Sequence, residues 1–288
     1  MEIKSKLLNG IPFKEFNYGQ NRKDLIFLHA NAFPPECYLP LFNELGIRFN
    51  IICPLFKPLW EFPGSPNKLL DWSPLKEDVL QFINSLSNNN YFISGHSLGG
   101  HVALRIALEN SEKVKKSVLL DPVIFSKWMI FIWSFIQWTD FGERHHPMIK
   151  ACKNQRLIHN SKMELVNRYR TKKIFSKISD GNLSILIDGL VKERNDGKVG
   201  IIFPKDWEIQ IYRTGMIADK FIWKNIKKLN NKILLLHAEK TNAPLISVIN
   251  KLAKKSNYIT PEILLGHTHF FPFENPELIG RKMIDFFL

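Results

Sequence analysis

The stretch of sequence that decides the fold reads Gly95-His96-Ser97-Leu98-Gly99-Gly100. It follows a short apolar run, residues 91–94, and it opens a segment of helical periodicity that contains no proline. A serine on so sharp a strand-to-helix turn projects its hydroxyl beyond the carboxyl edge of a sheet, and only small residues fit two positions to either side. The helix behind the turn adds a positive dipole and the free N–H of Leu98. The motif therefore predicts that Ser97 is a nucleophile.

The rest of the chain alternates between short apolar runs and helical periodicity. Buried strands are predicted over residues 24–28, 49–53, 91–94, 117–120, 233–236 and 262–265. Helices are predicted over residues 75–86, 102–108 and 276–286, and Ser73 is the expected N-cap of the first. Residues 2–8 and 12–17, around Asn9-Gly10, indicate an edge hairpin. This alternation predicts an α/β fold with a doubly wound, mostly parallel sheet.

One long stretch interrupts the alternation and predicts an insertion. Residues 123–215 show no convincing series of strands, so we expect a helical cap or lid inserted between core segments 1–122 and 216–288. Residues 123–138 are almost wholly apolar and include Trp128, Trp133 and Trp138, but they are too few to span a membrane. They form a cap helix packed on the core, a lid over a substrate pocket, or an anchor at a membrane surface.

Composition and charge exclude several classes of protein. The 288 residues are 45% hydrophobic and 23% charged, which is typical of a folded chain with a sizeable core. The three cysteines lack metal-site spacing and cannot all pair, so a disulfide scaffold is excluded. Residues 122–231 carry a net charge of +10, from 20 basic and 10 acidic side chains, within a total of +13. No recognised nucleic-acid module accompanies this charge, so we expect no nucleic-acid partner. The first residues lack the apolar core of a signal peptide, which favours a cytoplasmic location.

Together with five other motifs, residues 95–100 resemble the α/β-hydrolase superfamily over nearly the whole chain. Residues 29–35, His29-Ala30-Asn31-Ala32-Phe33-Pro34-Pro35, are similar to the oxyanion loop of the family in its HANGFPP form. The other motifs resemble an uncharacterised bacterial branch of serine hydrolases, and they lie at residues 58–65, 119–122, 211–214 and 270–276. The resemblance implies the α/β-hydrolase fold and a serine-hydrolase reaction, but it names no substrate.

The resemblance also implies a general base after the last strand, where His267 and His269 both qualify. In the closing pattern of the family, glutamate follows the histidine after five residues, and then comes x-Pro. His269 has this spacing to Glu274 and Pro276, whereas His267 would need a spacing of seven. His269 is therefore the predicted base. A metal site on the two histidines is disfavoured because no carboxylate motif accompanies them, and we expect neither metal nor cofactor.

The acid departs from the usual pattern of the family. Most members carry aspartate a few residues after the penultimate strand, where this chain has Thr241. Two carboxylates remain as candidates. Asp121 ends the strand that follows the nucleophile helix, and Glu239 lies in the usual loop, two residues early. The acid must hold the tautomer of the imidazole and stabilise its protonated form. We predict Asp121, with Glu239 as the alternative acid.

Two N–H donors should stabilise the oxyanion. Leu98 supplies one, and Asn31 is the expected source of the other, with Ala32 as its alternative. The predicted reaction is acyl transfer to water from a small-molecule ester-like substrate. The aromatic residues of the insertion indicate an apolar acyl group. The alternatives are carbon–carbon bond hydrolysis or cofactor-free peroxidation at the same site, and a non-catalytic ligand-binding or membrane-surface protein on a hydrolase scaffold. The sequence leaves the oligomeric state open.

Overall fold

The computed structural model describes residues 1–87, 90–109, 112–241 and 245–288. Its strands, in chain order, are β1 (Glu2–Leu8), β2 (Ile11–Asn17), β3 (Lys23–Leu28), β4 (Phe49–Pro54), β5 (Tyr91–His96), β6 (Val114–Leu120), β7 (Ile158–His159), β8 (Val191–Glu193), β9 (Val199–Ile201), β10 (Lys232–Lys240) and β11 (Ile259–Thr268).

The helices are α1 (Leu39–Leu45), α2 (Ser73–Ser85), α3 (Leu98–Glu109), α4 (Lys127–Ile136), α5 (Asp140–His145), α6 (Pro147–Lys153), α7 (Lys162–Arg170), α8 (Asp180–Leu190), α9 (Lys205–Asn225), α10 (Ile246–Ala253), α11 (Phe271–Glu274) and α12 (Pro276–Phe287). Several single turns of 3-10 helix connect these elements.

The central sheet has the strand order β1-β2-β4-β3-β5-β6-β10-β11 in the described part of the chain. The six strands β4-β3-β5-β6-β10-β11 pair in parallel. At one edge β1 and β2 form a hairpin, and β2 pairs antiparallel with β4. Asn9 and Gly10 turn this hairpin with φ of +50° and +81°, as a type I′ turn requires. The predicted doubly wound α/β fold is confirmed. Its parallel strands bring their carboxyl ends to one edge of the sheet.

Both faces of the sheet are covered, and the side chains of β3 show how. Leu25 and Phe27 belong to a buried cluster with α1, α7, α8 and α12. The alternate residues Ile26 and Leu28 belong to a second cluster, with α2, α3, α9 and α10. Because successive side chains of a strand point to opposite faces, these two clusters are the two layers that sandwich the sheet.

The starts of two helices follow from local hydrogen bonds. The prediction that Ser73 caps α2 is wrong, because Ser73 is the first helical residue and its N–H donates to Asp71 Oδ1 at 2.7 Å. The Ser73 hydroxyl instead accepts a bond from Arg105 on α3 at 2.9 Å. The predicted start of α12 is confirmed, since Asn275 Oδ1 accepts the N–H of Leu278 at 3.2 Å.

Residues 123–215, which the sequence predicts to be an insertion and which are called the inserted segment below, are mainly helical but also contain a small antiparallel sheet, β7-β9-β8, which the sequence pattern did not predict. These strands have only two or three residues, too few for a period to show. Helix α9 runs unbroken across residue 215, so that division falls inside a helix. Tyr169 of the segment belongs to the cluster on one face of the sheet, and Phe203 belongs to the cluster on the other face. The segment therefore packs against the core of the sheet.

Among the described residues, no helix combines the length and the apolar character needed to cross a membrane. The cysteines, Cys37, Cys53 and Cys152, are all buried and unpaired.

Candidate active site

Ser97 lies in the turn between β5 and α3, with its backbone in the left-handed region at φ +56°. Gly95 and Gly99, on either side of Ser97, must be glycines because the neighbouring backbone leaves no room for a side chain. A Cβ on Gly95 would lie 2.3 Å from the carbonyl oxygen of Gly99, and one on Gly99 would lie 2.0 Å from that of Leu28. No side chain tolerates such distances. The G-x-S-x-G spacing therefore follows from the close packing of α3 against the ends of β3 and β5.

Backbone hydrogen bonds fix this turn. The N–H of Ser97 donates to the Leu120 carbonyl of β6 at 2.9 Å, and the Ser97 carbonyl accepts the N–H of His101 at 3.0 Å. Leu98 is the first residue of α3, so its N–H has no partner within the helix and lies at the positive end of the helix dipole. Ser97 itself remains partly exposed. The turn thus presents a hydroxyl and a free N–H together.

Asp121 and His269 meet at the same edge of the sheet. The Nδ1 atom of His269 lies 2.6 Å from Oδ2 of Asp121. A carboxylate can only accept, so Nδ1 carries the proton and Nε2 keeps a free lone pair. Among the described residues, no hydrogen bond joins the Ser97 hydroxyl to the His269 ring. Such bonds are often long in unliganded enzymes and shorten when the substrate binds.

Asp121 is fully buried, and its carboxylate accepts several further hydrogen bonds. Oδ1 accepts from His237 Nδ1 at 3.0 Å and from the N–H of Ala238 at 3.2 Å. Burial raises the pKa of Asp121, but hydrogen bonds from His237, His269 and the hydroxyl of Thr241 outweigh it and lower the pKa to about 2. The carboxylate is therefore ionised at neutral pH. Thr241, which occupies the position where the resemblance leads one to expect the acid, donates its hydroxyl hydrogen bond to Asp121.

The alternative acid and the alternative base lie elsewhere. Glu239 is exposed, and its Oε2 atom accepts the N–H of Gly266 at 2.7 Å. His267 bonds through Nδ1 to the carbonyl of Leu265, two residues earlier, at 2.9 Å. The structure therefore brings Asp121, and not Glu239, to the ring of His269.

Glu274 has a structural role that explains its spacing of five residues from His269. Its carboxylate accepts the N–H of Thr268 at 3.1 Å, and it also accepts the hydroxyl of the same residue. These bonds close the turn between β11 and α11, on which His269 lies. A glutamate five residues after the histidine thus fixes the backbone next to the imidazole.

The loop after β3 carries the candidate oxyanion donors. Asn31 is buried, and its side-chain amide donates to the Glu208 carbonyl of α9 at 3.3 Å. Ala32 has a left-handed backbone, at φ +65°, and the HANGFPP motif that residues 29–35 resemble has glycine at this position. No bond between described residues uses the N–H groups of Asn31 or Ala32. Both remain candidates for the second donor beside Leu98.

Backbone strain is concentrated at this edge of the sheet. In the described part of the chain, the non-glycine residues with positive φ are Asn9, Asn21, Ala32, Ser97 and Asp121. Asparagine and aspartate tolerate this conformation better than most residues, but alanine and serine adopt it less readily. The last three residues of this set are all candidate site residues. Strain that clusters in this way is typical of a functional site.

Sequence reasoning did not single out the hydrogen-bonded pair Tyr38 and His96. This buried pair connects the backbone of His269 to the loop after β3. His96 Nε2 lies 2.9 Å from the His269 carbonyl oxygen, and His96 Nδ1 lies 2.8 Å from the Tyr38 hydroxyl. Burial lowers the pKa of His96 to about 3, so the ring is neutral. Nε2 must donate to the carbonyl, and Nδ1 therefore accepts from Tyr38. The Tyr38 oxygen in turn accepts the N–H of Ala30 at 3.1 Å.

A signal for His237 was present in the strand pattern. It directly follows the apolar run of β10, as Asp121 follows that of β6, and the two parallel strands pair Leu236 with Leu120. Neighbouring strand ends in register place the next side chains side by side.

Aromatic rings surround His269 on the side of the inserted segment. Phe270 lies 5.8 Å from the His269 ring, 5.6 Å from Phe33 and 5.1 Å from Phe175. Phe33 and Phe270 are partly exposed, so they offer apolar surface near His269. In the described ranges, no group of three or more His, Cys, Asp or Glu side chains is arranged to hold a metal ion.

Comparisons with known proteins identify the family of the chain. A sequence profile of the alpha/beta hydrolase family matches residues 25–281. The uncharacterized hydrolase YugF of Bacillus subtilis is 24% identical over 284 residues, which cover 95% of this chain and 93% of that protein. The fold is similar to that of E-2-(acetamidomethylene)succinate hydrolase, with a TM-score of 0.78, 14% identity and 99% coverage of both chains. It is also similar to a thioesterase domain from the curacin biosynthetic pathway, with a TM-score of 0.76, 12% identity and 99% coverage of both chains. Because the family profile spans most of the sequence, the chain belongs to the alpha/beta hydrolase family.

Proposed function

We propose that the protein is a serine hydrolase that cleaves a carboxylic ester or a related acyl bond. The observation that carries this proposal is the 2.6 Å hydrogen bond between Asp121 and His269 at the sheet edge that Ser97 shares. A buried, ionised carboxylate that fixes one tautomer of a histidine is what a general base needs in order to activate a serine.

The reaction would proceed in two steps. His269 Nε2 takes the proton of Ser97 as the hydroxyl oxygen attacks the carbonyl carbon, and it then gives that proton to the leaving alcohol. His269 then takes a proton from water as the water oxygen attacks the acyl carbon. The bond from the acyl carbon to the Ser97 oxygen breaks, the carboxylic acid leaves, and His269 returns the proton to Ser97. In both steps the negative charge on the carbonyl oxygen would be held by the N–H of Leu98 and that of Asn31 or Ala32. The positive end of the α3 dipole adds to this stabilisation.

The surroundings of His269 favour an apolar acyl group. Phe33, Phe175 and Phe270 form a connected aromatic cluster beside the base, and two of them are partly exposed. An apolar chain that packs on these rings would lose its contact with water, which favours binding. The names of the similar structures, a hydrolase and a thioesterase domain, are compatible with acyl transfer.

Labelling of the serine tests the proposal directly. The purified protein should react covalently with a fluorophosphonate probe and should hydrolyse p-nitrophenyl esters, with acyl chains of graded length defining its preference. Ser97→Ala should lose the label and about 10⁴-fold or more in kcat. A fully active Ser97→Ala variant would refute the mechanism. If the parent protein showed neither label nor hydrolysis, a non-catalytic scaffold would be favoured.

A further inference from the structure

Helix α4 exposes a continuous aromatic face. Trp128 is 68% exposed, Phe131 55%, Ile132 41% and Phe135 69%. Four large apolar side chains on a single helix of 10 residues present much apolar surface to water, and contiguous patches of this kind mark interaction sites. These four residues are called the aromatic face below.

The helix holds this face in a fixed orientation. At about 100° per residue, the four side chains lie within an arc of about 100°. Ile130 and Trp133 lie on the opposite side and are buried, and the Trp133 indole N–H donates to the Arg213 carbonyl of α9 at 2.7 Å. Ser126 caps the start of the helix by accepting the N–H of Met129 at 3.3 Å. The inner side therefore anchors α4, and the outer side is directed away from the protein.

Within the aromatic face the rings contact one another. The centroids of Trp128 and Phe131 are 5.8 Å apart in a stacked pair, and those of Phe131 and Phe135 are 5.0 Å apart, edge to face. Two further aromatic side chains that follow α4 in the chain are also exposed, Trp138 by 54% and Phe141 by 58%.

The charge of the surrounding segment indicates which partner this surface fits. Residues 122–231 carry most of the net positive charge of the chain, and Lys127 and Lys150 are exposed near the two ends of the α4–α6 region. A second copy of the chain would bring two positively charged segments together, which electrostatic repulsion opposes. An anionic lipid surface attracts the same charge, at about 1 kcal/mol for each basic side chain near it.

We propose that the aromatic face docks onto an anionic membrane surface. Tryptophan and phenylalanine suit the layer between lipid headgroups and acyl chains. A helix of 10 residues is about 15 Å long, so α4 can lie in the plane of this layer. Lys127, exposed at the start of α4, would meet the headgroups while Trp128, Phe131 and Phe135 enter the acyl boundary.

Vesicle cosedimentation tests the proposal without any substrate, so its outcome is independent of the reaction assigned to Ser97. The full chain is mixed with vesicles of phosphatidylcholine alone or of equal parts phosphatidylcholine and phosphatidylglycerol. We expect binding to the anionic vesicles, and we expect high salt to weaken it several-fold. The triple variant Trp128→Ser, Phe131→Ser, Phe135→Ser should bind about tenfold more weakly or worse.

A matched control uses Phe62, which is 84% exposed and lies outside α4. Phe62→Ser should bind vesicles like the parent, and circular dichroism should show that all variants are folded. Absence of binding to the anionic vesicles, or equal binding by the triple variant and the parent, would overturn the proposal. Self-association in sedimentation velocity that the triple variant abolishes, without vesicle binding, would assign the aromatic face to a second copy of the chain and would also overturn it.

Discussion

At the scale of single residues, the position of Asp121 is the least usual feature of the site. The backbone adopts φ +43° there, and the N–H of Asp121 bonds to the Leu236 carbonyl of β10 at 2.8 Å. Asp121 directly follows β6, and its carboxylate accepts hydrogen bonds from His237 and Ala238 of β10 and from His269 in the turn after β11. A charge buried this completely is stable only because every donor is in place.

Asp121→Asn should preserve the fold but lower kcat for ester hydrolysis by about 10⁴-fold. The amide can donate to Nδ1 of His269, which would favour the tautomer with the proton on Nε2, where the base must accept. The measurement is kcat on a p-nitrophenyl ester, with thermal unfolding as the check on folding.

Glu239→Gln is the matched control for that prediction. Glu239 bonds to the N–H of Gly266 and not to the base, so kcat should stay within about tenfold of the parent value. If Glu239→Gln lost activity while Asp121→Asn kept it, the acid would have to be reassigned to Glu239.

Tyr38→Phe should slow acylation although Tyr38 does not touch the substrate. The hydroxyl links the N–H of Ala30 to His96, which bonds to the backbone of His269, so its removal loosens the oxyanion loop and the base together. We expect kcat to fall about tenfold with little change in KM, and the free energy of unfolding to fall by about 1–3 kcal/mol. The rate of fluorophosphonate labelling should fall in parallel with kcat. An unchanged labelling rate in a destabilised variant would show that Tyr38 only supports the fold.

The neighbouring sequence predicts the positions of some of these residues and not of others. The strand-to-helix turn at Ser97 could be predicted because a run of six residues specifies it, and the position of His269 because Glu274 closes a turn of only seven residues, 268–274. The contact of Tyr38 with His96 joins positions 58 apart in the chain. No periodicity or motif encodes such a distance, and it becomes apparent only when α1 and β5 are packed together.

At the scale of elements, the junction of α3 with β3 is too close for any side chain. Gly99→Ala should therefore destabilise the protein by about 3 kcal/mol or more, because its Cβ would meet the Leu28 carbonyl oxygen at 2.0 Å. Gly181 in α8 is the control, since a Cβ there meets nothing within 4 Å. Gly181→Ala should be neutral or should stabilise the protein by up to about 1 kcal/mol. Urea unfolding measures both, and equal effects of the two substitutions would contradict the packing argument.

Some strands and helix boundaries could be predicted from the sequence and others could not. Strands buried on both faces, such as β3 and β6, were predicted within a few residues because their apolar runs end at turn residues. The strands β7, β8 and β9 were missed because pairing with neighbours, and not residue pattern, makes them strands. Helix α9 crosses the expected boundary at residue 215 because it packs on both the inserted segment and α3.

At the scale of the whole molecule, several histidines are held neutral inside the fold. Burial lowers the pKa of His29 to about 4, that of His96 to about 3 and that of His146 to about 4. His29 shows how the neutral form is used. Its Nδ1 donates to the Ala30 carbonyl at 2.8 Å, and its Nε2 accepts the N–H of Phe56 at 3.3 Å. A proton on Nε2 would break the second bond.

These histidines make the free energy of unfolding depend on pH. Below pH about 6.5 the unfolded chain takes up a proton on each of them while the folded chain does not, so stability is lost as pH falls toward about 4. Each contributes a slope of about 1.4 kcal/mol per pH unit in this window. His29→Gln keeps a donor and an acceptor but cannot titrate, so the slope should fall by that amount relative to the parent. The measurement is urea unfolding of the parent and of His29→Gln at intervals between pH 7 and pH 4.5. Equal slopes for His29→Gln and the parent would mean that His29 accepts its proton inside the folded protein, and the neutral hydrogen-bonding scheme at the oxyanion loop would then be wrong.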